Sequence, residues 1–292
     1  MSNASKAFIP YGRQTISEAD IAAVDSVLRS PFLTQGPAIP AFEQAVAAKV
    51  NVRFGVAVNS ATSALHIACL ALGLGPGDRL WTSPITFVAS ANCGRYCGAE
   101  VDFVDIDSDT GLISVPALEQ KLQEAERTGT LPKVLVPVHH TGSSCDMAAI
   151  GSLAKRYGFF VLEDASHAIG GYYQGEPVGN CRHSAITVFS FHPVKIITTG
   201  EGGLATTNDP ALFQRMVELR SHGIVREPER FEQSAAGPWM YEQQQLGFNY
   251  RITDFQCALG SSQLKKLDQF VEARQLIASQ YNRVFSNIEF LT

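Results

Sequence analysis

In the stretch "VFSFHPVKIITTGEGG", Val188 to Gly203, a single lysine, Lys195, stands among apolar, aromatic and small residues and is followed by Gly200, Gly202 and Gly203. Most lysines are solvated surface groups. An apolar setting instead favours the neutral amine, which is a nucleophile able to form a Schiff base. Ser190 supplies a hydroxyl just before the lysine, and the glycines let the chain turn sharply and pass close to a ligand. Two further stretches carry polar groups of chemical use. "FFVLEDASHAIG" ends a buried-type strand on Asp164, with Glu163 pointing to the opposite side and His167 three residues on. A carboxylate at the end of such a strand needs a partner: either the N–H groups of the following turn, or a protonated ring nitrogen of a bound cofactor. His167 is a second cofactor contact or a satisfied, half-buried histidine. "VNSATSAL" runs a strand through Asn59 to Ser63 into a helix, so Ser60 or Thr62 either caps that helix or joins its free N–H groups in binding an anion.

The elements that must position these groups follow from periodicity. Short apolar runs, "FGVAV", "RLWTS", "EVDFVDI", "KVLVPVH" and "FFVLED", alternate with helical patterns near 63–72, 87–96, "VPALEQKLQEAER" and "DMAAIGSLAKRYG". Continuous apolar strands separated by helices predict an α/β domain whose mainly parallel central sheet is covered by helices on both faces. Upstream, "SEADIAAVDSVLRS" opens with a Ser-x-x-Asp cap and predicts a helix over 17–30, followed by another at "AIPAFEQAVAAKV". Beyond Ile186 come the short strands "AITVFSF" and "GGLATT", a helix at "PALFQRMVELRSHG", a polar loop from Arg226 to Arg251, and one long helix predicted from Thr253 to about Phe285. Open α/β sheets bind ligands outside the carboxyl ends of their strands, which is where Asn59, Asp164 and Ser190 fall. A phosphate site, a carboxylate for a basic ring nitrogen and a buried amine for an aldehyde agree on one ligand, pyridoxal 5′-phosphate (PLP).

Composition bounds the alternatives. The 292 residues are 45% hydrophobic and 17% charged, with a formal net charge of -5, in the ordinary globular range. The 23 basic residues are scattered, without the Lys/Arg block that tracks nucleic-acid phosphates. No apolar run reaches the length of a membrane span, and "MSNASKAFIP" lacks a secretory h-region, so a cytoplasmic protein without nucleic-acid or membrane partners is expected. Six dispersed cysteines form no Cys-x-x-Cys pair, and Cys93 and Cys97 read as free thiols rather than zinc ligands.

The ordered motifs "NSATSAL", "TSPITFVASAN", "EDASHAIGG", "FSFHPVKIITTGEGG", "RSHGI" and "GFNYRITDFQCALGSSQLKKLDQF" resemble the DegT/DnrJ/EryC1/StrS family of sugar aminotransferases, from about Tyr11 to Arg283. That resemblance implies the fold-type I PLP-dependent aminotransferase architecture: an N-terminal segment (1–30), a large PLP-binding domain (31–250) and the start of a small C-terminal domain (251–292), the remainder of which is expected to be missing. It implies Lys195 as the Schiff-base lysine, Asp164 as partner of the pyridine nitrogen, His167 near the phenolic oxygen and Phe87 stacked on the ring. Ala61, Thr62 and Ser190 would line the phosphate and substrate region. Asn249, in "GFNYR", would reach the active site of a neighbouring subunit, implying a homodimer with shared sites. Tyr11 and Pro31, Phe32, Leu33 and Thr34 match positions that contact the sugar. The implied reaction moves an amino group from L-glutamate to the keto group of a UDP-4-keto sugar.

Overall fold

A computed structural model describes residues 8, 10, 12–233, 237–286 and 288. The chain begins with helices α1 (Glu18–Leu28) and α2 (Ala38–Lys49), then alternates through β1 (Phe54–Val58), α3 (Ala61–Ala71), β2 (Arg79–Thr82), α4 (Ala89–Tyr96), β3 (Glu100–Phe103), α5 (Val115–Thr128), β4 (Val134–Val136), α6 (Met147–Tyr157) and β5 (Phe160–Asp164). A short hairpin, β6 (Tyr172–Tyr173) and β7 (Glu176–Pro177), leads to β8 (Ile186–Ser190), β9 (Gly203–Thr207) and α7 (Pro210–Arg220). A second small hairpin, β10 (Ile224–Val225) with β11 (Glu242–Gln243), precedes α8 (Asp254–Leu264) and α9 (Leu267–Phe285).

Seven strands form one sheet in the order β1-β9-β8-β5-β4-β2-β3. β3, β2, β4, β5 and β8 are parallel, whereas β9 runs antiparallel to both β8 and β1. The reversal of β9 follows from its connection. Residues 191–202 contain no helix to carry the chain back across the sheet, so the strand returns beside its neighbour. The carboxyl ends of the six like-directed strands and the amino end of β9 therefore share one edge.

Side-chain alternation sorts the core into two faces. Val56, Val58, Val134, Val136, Leu162, Ile186, Val188 and Ala205 pack with α3, α4 and α7. On the opposite face, Ala57, Phe189 and Leu204 meet α2 and α8, while Trp81, Leu135 and Val161 meet α5 and α6. Both faces are covered, as continuous apolar strands require.

The final helix is not continuous, contrary to the expectation from its periodicity. It breaks at Lys265 and Lys266, the latter with φ -103° and ψ 0°, although neither glycine nor proline stands there. The cause is tertiary. Lys266 Nζ is drawn 2.5 Å from Oδ2 of Asp20, which is fully buried, and Gln263 donates to the same oxygen at 2.8 Å. The lysine holds the Asp20 carboxyl well below the usual carboxylate range against the opposing effect of burial. The capping motif read at Ser17 is present, with the Ser17 N–H donating to Asp20 Oδ2 at 2.8 Å, so one carboxylate both caps α1 and fastens it to the α8–α9 junction. The polar stretch after Arg226 is mostly irregular as expected, but β11 within it pairs with β10.

Candidate active site

The strand ends converge on a cavity of about 890 Å³. Ala61, Thr62, Phe87, Asp164, His167, Ser190 and Lys195 all line it. Asp164 ends β5 with the same parity as Leu162, so it faces the α3–α4 side and is only 4% exposed. Its Oδ2 accepts from the Ser90 hydroxyl at 2.6 Å, and its Oδ1 from the Ser166 hydroxyl at 2.6 Å and the Ser166 N–H at 3.1 Å. Glu163 turns the other way, as alternation requires. There His139 Nε2 donates to its Oε2 at 2.7 Å and Thr187 to its Oε1 at 2.9 Å, while the Cys145 N–H donates to His139 Nδ1 at 3.2 Å and so places the ring proton on Nε2. Adjacent acids on one strand thus have separate surroundings: Glu163 faces His139, Ser184 and Thr187, while Asp164, also accepting three hydrogen bonds, lines the cavity.

Lys195 sits on a loop closed at its neck. The Phe191 N–H donates to Gly202 O at 2.9 Å, and the Thr199 N–H to Phe191 O at 3.0 Å. Phe191 anchors that neck by packing edge-on to Phe42 at 5.2 Å between centroids, and Gly200 supplies the positive φ of +83° that the return needs. The Lys195 Nζ lies 2.5 Å from His167 Nε2. Burial pushes the Lys195 amine below its ordinary value, with the Asp164 charge opposing, and burial together with the Lys195 charge pushes His167 down as well. An unprotonated His167 Nε2 can therefore accept from the lysine.

At the opposite wall α3 begins. Ser60 is its N-cap, accepting from the Ser63 N–H at 3.1 Å, and Ser63 donates to Asn59 Oδ1 at 2.7 Å. The capping reading of Ser60 is thus correct, and Ala61 and Thr62, in the first turn whose N–H groups lack intrahelical partners, also line the cavity, a setting suited to an anion. Gly203 makes this possible: a Cβ there would stand 2.4 Å from Ala61 N and 2.5 Å from Ser60 C. Gly203→Ala is expected to cost about 1–3 kcal/mol through overpacking and to loosen the anion turn. A lower Tm accompanied by weaker phosphate-ester binding checks this, and an unchanged Tm would contradict the close approach.

PLP fits these residues on three structural grounds: a buried carboxylate with acceptor capacity left, a helix start brought against a glycine strand, and a lysine amine destabilised in its charged form. Phe87, 74% exposed just before α4, presents a ring to the same space.

Other expected residues lie elsewhere. Pro31, Phe32, Leu33 and Thr34 do not line the cavity; they form a segment tied to α8 through the Thr34–Thr253 bridge and the Asp254 N–H donating to Leu33 O at 3.0 Å. Asn249 is exposed, bridged to Ser221, one residue before the Tyr250 carbonyl that accepts from Asn59 N–H at 2.9 Å. Tyr11 lies outside the described residues. Sequence reading missed Ser90, Ser166, Thr86, His139 and His140. Ser166 had a signal, since a serine two residues after a strand-terminal aspartate suits an Asx turn. Ser90, 74 positions from Asp164, had none.

The sequence model of the DegT/DnrJ/EryC1/StrS aminotransferase family matches residues 14–292. The UDP-4-amino-4,6-dideoxy-N-acetyl-beta-L-altrosamine transaminase of Campylobacter jejuni is 40% identical over 284 residues, covering 97% of this chain and 71% of that protein. The spore coat polysaccharide biosynthesis protein SpsC of Bacillus subtilis is 39% identical over 96% of this chain and 70% of its own length. Among solved structures, Helicobacter pylori PseC, an aminotransferase involved in the biosynthesis of pseudoaminic acid, superposes with a TM-score of 0.87 at 34% identity, covering 96% of this chain and 71% of that one. The PLP form of a putative sugar aminotransferase, Spr1654 of Streptococcus pneumoniae, superposes with a TM-score of 0.84 at 29% identity, covering 96% of this chain and 72% of that one.

Proposed function

The chain belongs to the DegT/DnrJ/EryC1/StrS aminotransferase family and is a PLP-dependent sugar aminotransferase; from that premise we propose that it transfers an amino group from L-glutamate to the C4 keto group of UDP-2-acetamido-2,6-dideoxy-β-L-arabino-hex-4-ulose, a step toward pseudaminic acid. The observation that carries this reading is the 40% identity, over nearly the whole chain, to the altrosamine transaminase. L-glutamate leaves as 2-oxoglutarate and the sugar gains the amine, so the two halves balance in one amino group.

When bound, PLP supplies an aldehyde able to carry the amino group and a ring able to delocalise negative charge from the substrate carbon. Lys195 holds the cofactor between turnovers, and its freed Nζ takes a proton from the glutamate Cα in one half-reaction and returns one to the sugar C4 in the other. Asp164 would keep the proton on the ring nitrogen of the bound cofactor. Ala61, Thr62 and Ser190 would hold its phosphate, and Phe87 and His167 would hold its ring, all five lining the same cavity. Asn249 contributes to the site of a second copy in a cytoplasmic homodimer, a reading supported by its exposure and its place outside the cavity of its own chain. Among the described residues no helix is long and apolar enough to cross a membrane. Tyr11 and the 31–34 segment contact the sugar, the 31–34 segment from outside the cavity formed by one chain.

A second reading is a different nucleotide 4-keto sugar, favoured by the nearly equal identity to SpsC. Incubation with L-glutamate and a panel of 4-keto nucleotide sugars, with products resolved by NMR, separates the two. The proposed sugar should give the highest kcat/KM by at least roughly tenfold, the discrimination that a few well-placed contacts provide. Preference for another 4-keto sugar would replace the first reading with the second.

A further inference from the structure

Ser90 occupies the first turn of α4, is fully buried, and sits where no motif placed a functional residue. A buried hydroxyl in a helix ordinarily satisfies itself on the carbonyl one turn back. Ser90 instead spends its only hydrogen on Asp164 Oδ2, across 74 positions of sequence, at 2.6 Å. That bond fixes the direction of the next one: the Thr86 hydroxyl, 2.7 Å away, must donate to Ser90 Oγ. Thr86 and Phe87 line the cavity, so a chain of two hydroxyls joins the cavity wall at the start of α4 to the carboxylate at the end of β5.

Two elements therefore grip the Asp164 carboxylate, one at each oxygen. Ser166, in the turn after β5, holds Oδ1 by two bonds, while α4 holds Oδ2 only through Ser90. With both oxygens held, the plane of the carboxylate is set, and the remaining lone pairs are aimed rather than free to rotate.

We propose that Ser90 is a positioning residue for the cofactor: through Asp164 Oδ2 it orients the carboxylate toward the ring nitrogen and keeps the Phe87 end of α4 in register above it. This inference rests on the Asp164 role given under the proposed function, and it is independent of which sugar is the substrate.

The test measures PLP affinity by titrating cofactor-free protein, the pH midpoint of the bound cofactor's visible absorbance, and the Tm of the cofactor-free form. Ser90→Ala should weaken PLP binding by about tenfold, the loss expected for one hydrogen bond to a charged group. The absorbance midpoint should move up by about half a unit, because a ring nitrogen held less firmly in its protonated form repels a second proton less. Ser90→Thr keeps the hydroxyl and should recover most of both losses. A purely structural serine would lower the Tm and leave affinity and midpoint alone; an affinity within twofold of the parent with an unshifted midpoint overturns the proposal. Should Ser90→Ala not fold, Thr86→Val cuts the preceding bond at a half-buried position, and about threefold weaker binding with an upward midpoint is expected; no change there overturns the proposal equally. Asp164→Asn, run in parallel, separates the premises: if it too leaves the midpoint unmoved, the Asp164 assignment fails, whereas an effect there with none at Ser90 refutes only the present inference.

Discussion

Replacing Lys195 by alanine is expected to reduce turnover by at least about 10⁴-fold while leaving the fold intact, because in the proposed mechanism one amine both holds the cofactor and moves the proton at the reacting carbon. The fold should survive because Lys195 is only half-buried and its loop is closed by main-chain bonds from Phe191 to Gly202 and from Thr199 to Phe191, none of which involves the lysine side chain. Lys195→Arg sharpens the test. It retains a positive charge near Asp164, but a guanidinium does not release its proton in a protein. If charge alone mattered, the arginine variant would work; the mechanism expects it to be as inactive as alanine. Normal kcat in either variant, measured by 2-oxoglutarate release, would sink the assignment.

The lysine also predicts a pH dependence. Burial lowers its pKa below the ordinary lysine value, with the Asp164 charge working in the opposite direction. A lowered pKa means that the neutral amine is present at lower pH than for a surface lysine. The rate at which cofactor-free protein takes up PLP should therefore rise with pH through that lowered value and level off above it. A rate that begins to rise only at the pH of an unperturbed lysine would contradict the buried setting.

The second large effect belongs to Asp164. Asp164→Asn keeps the shape and removes the charge, so under the proposed assignment the ring nitrogen would lose the partner that holds its proton. A loss in kcat of roughly 10²–10³-fold is expected, the usual consequence of deleting one preorganised electrostatic group, with a smaller change in KM. The same substitution has a second readout of opposite origin. Removing the negative charge also withdraws its support from the Lys195 ammonium, so in the cofactor-free protein the rising limb of PLP uptake should shift to lower pH. A kcat within fivefold of the parent would show that the carboxylate does not face the ring nitrogen.

Much of this site was legible before any coordinates. Asp164 and Ser190 end their strands, Lys195, Ala61 and Thr62 follow within a few residues of strand ends, and the alternation of apolar strands with helices predicts that those ends meet. Alternation also separated Glu163 from Asp164, and the structure gives each its own partners. Less legible were the positions expected to contact the sugar or a neighbouring subunit. The 31–34 segment and Asn249 were assigned by resemblance, and within one chain they lie outside the cavity, on loops whose course no periodic pattern describes.

By itself the amino-acid sequence determined the layers, the order of the elements along the chain and the placing of Asp164 and Ser190 at strand ends, since these depend on local periodicity and on residues carried at element ends. Tertiary structure alone decided two things: that the last helix breaks where Lys266 reaches the buried Asp20, and that Ser90 grips Asp164. Each of these joins or pairs residues through packing rather than through neighbouring sequence. A hydrogen bond across 74 positions leaves no periodic trace, because its geometry exists only once α4 has docked on the sheet.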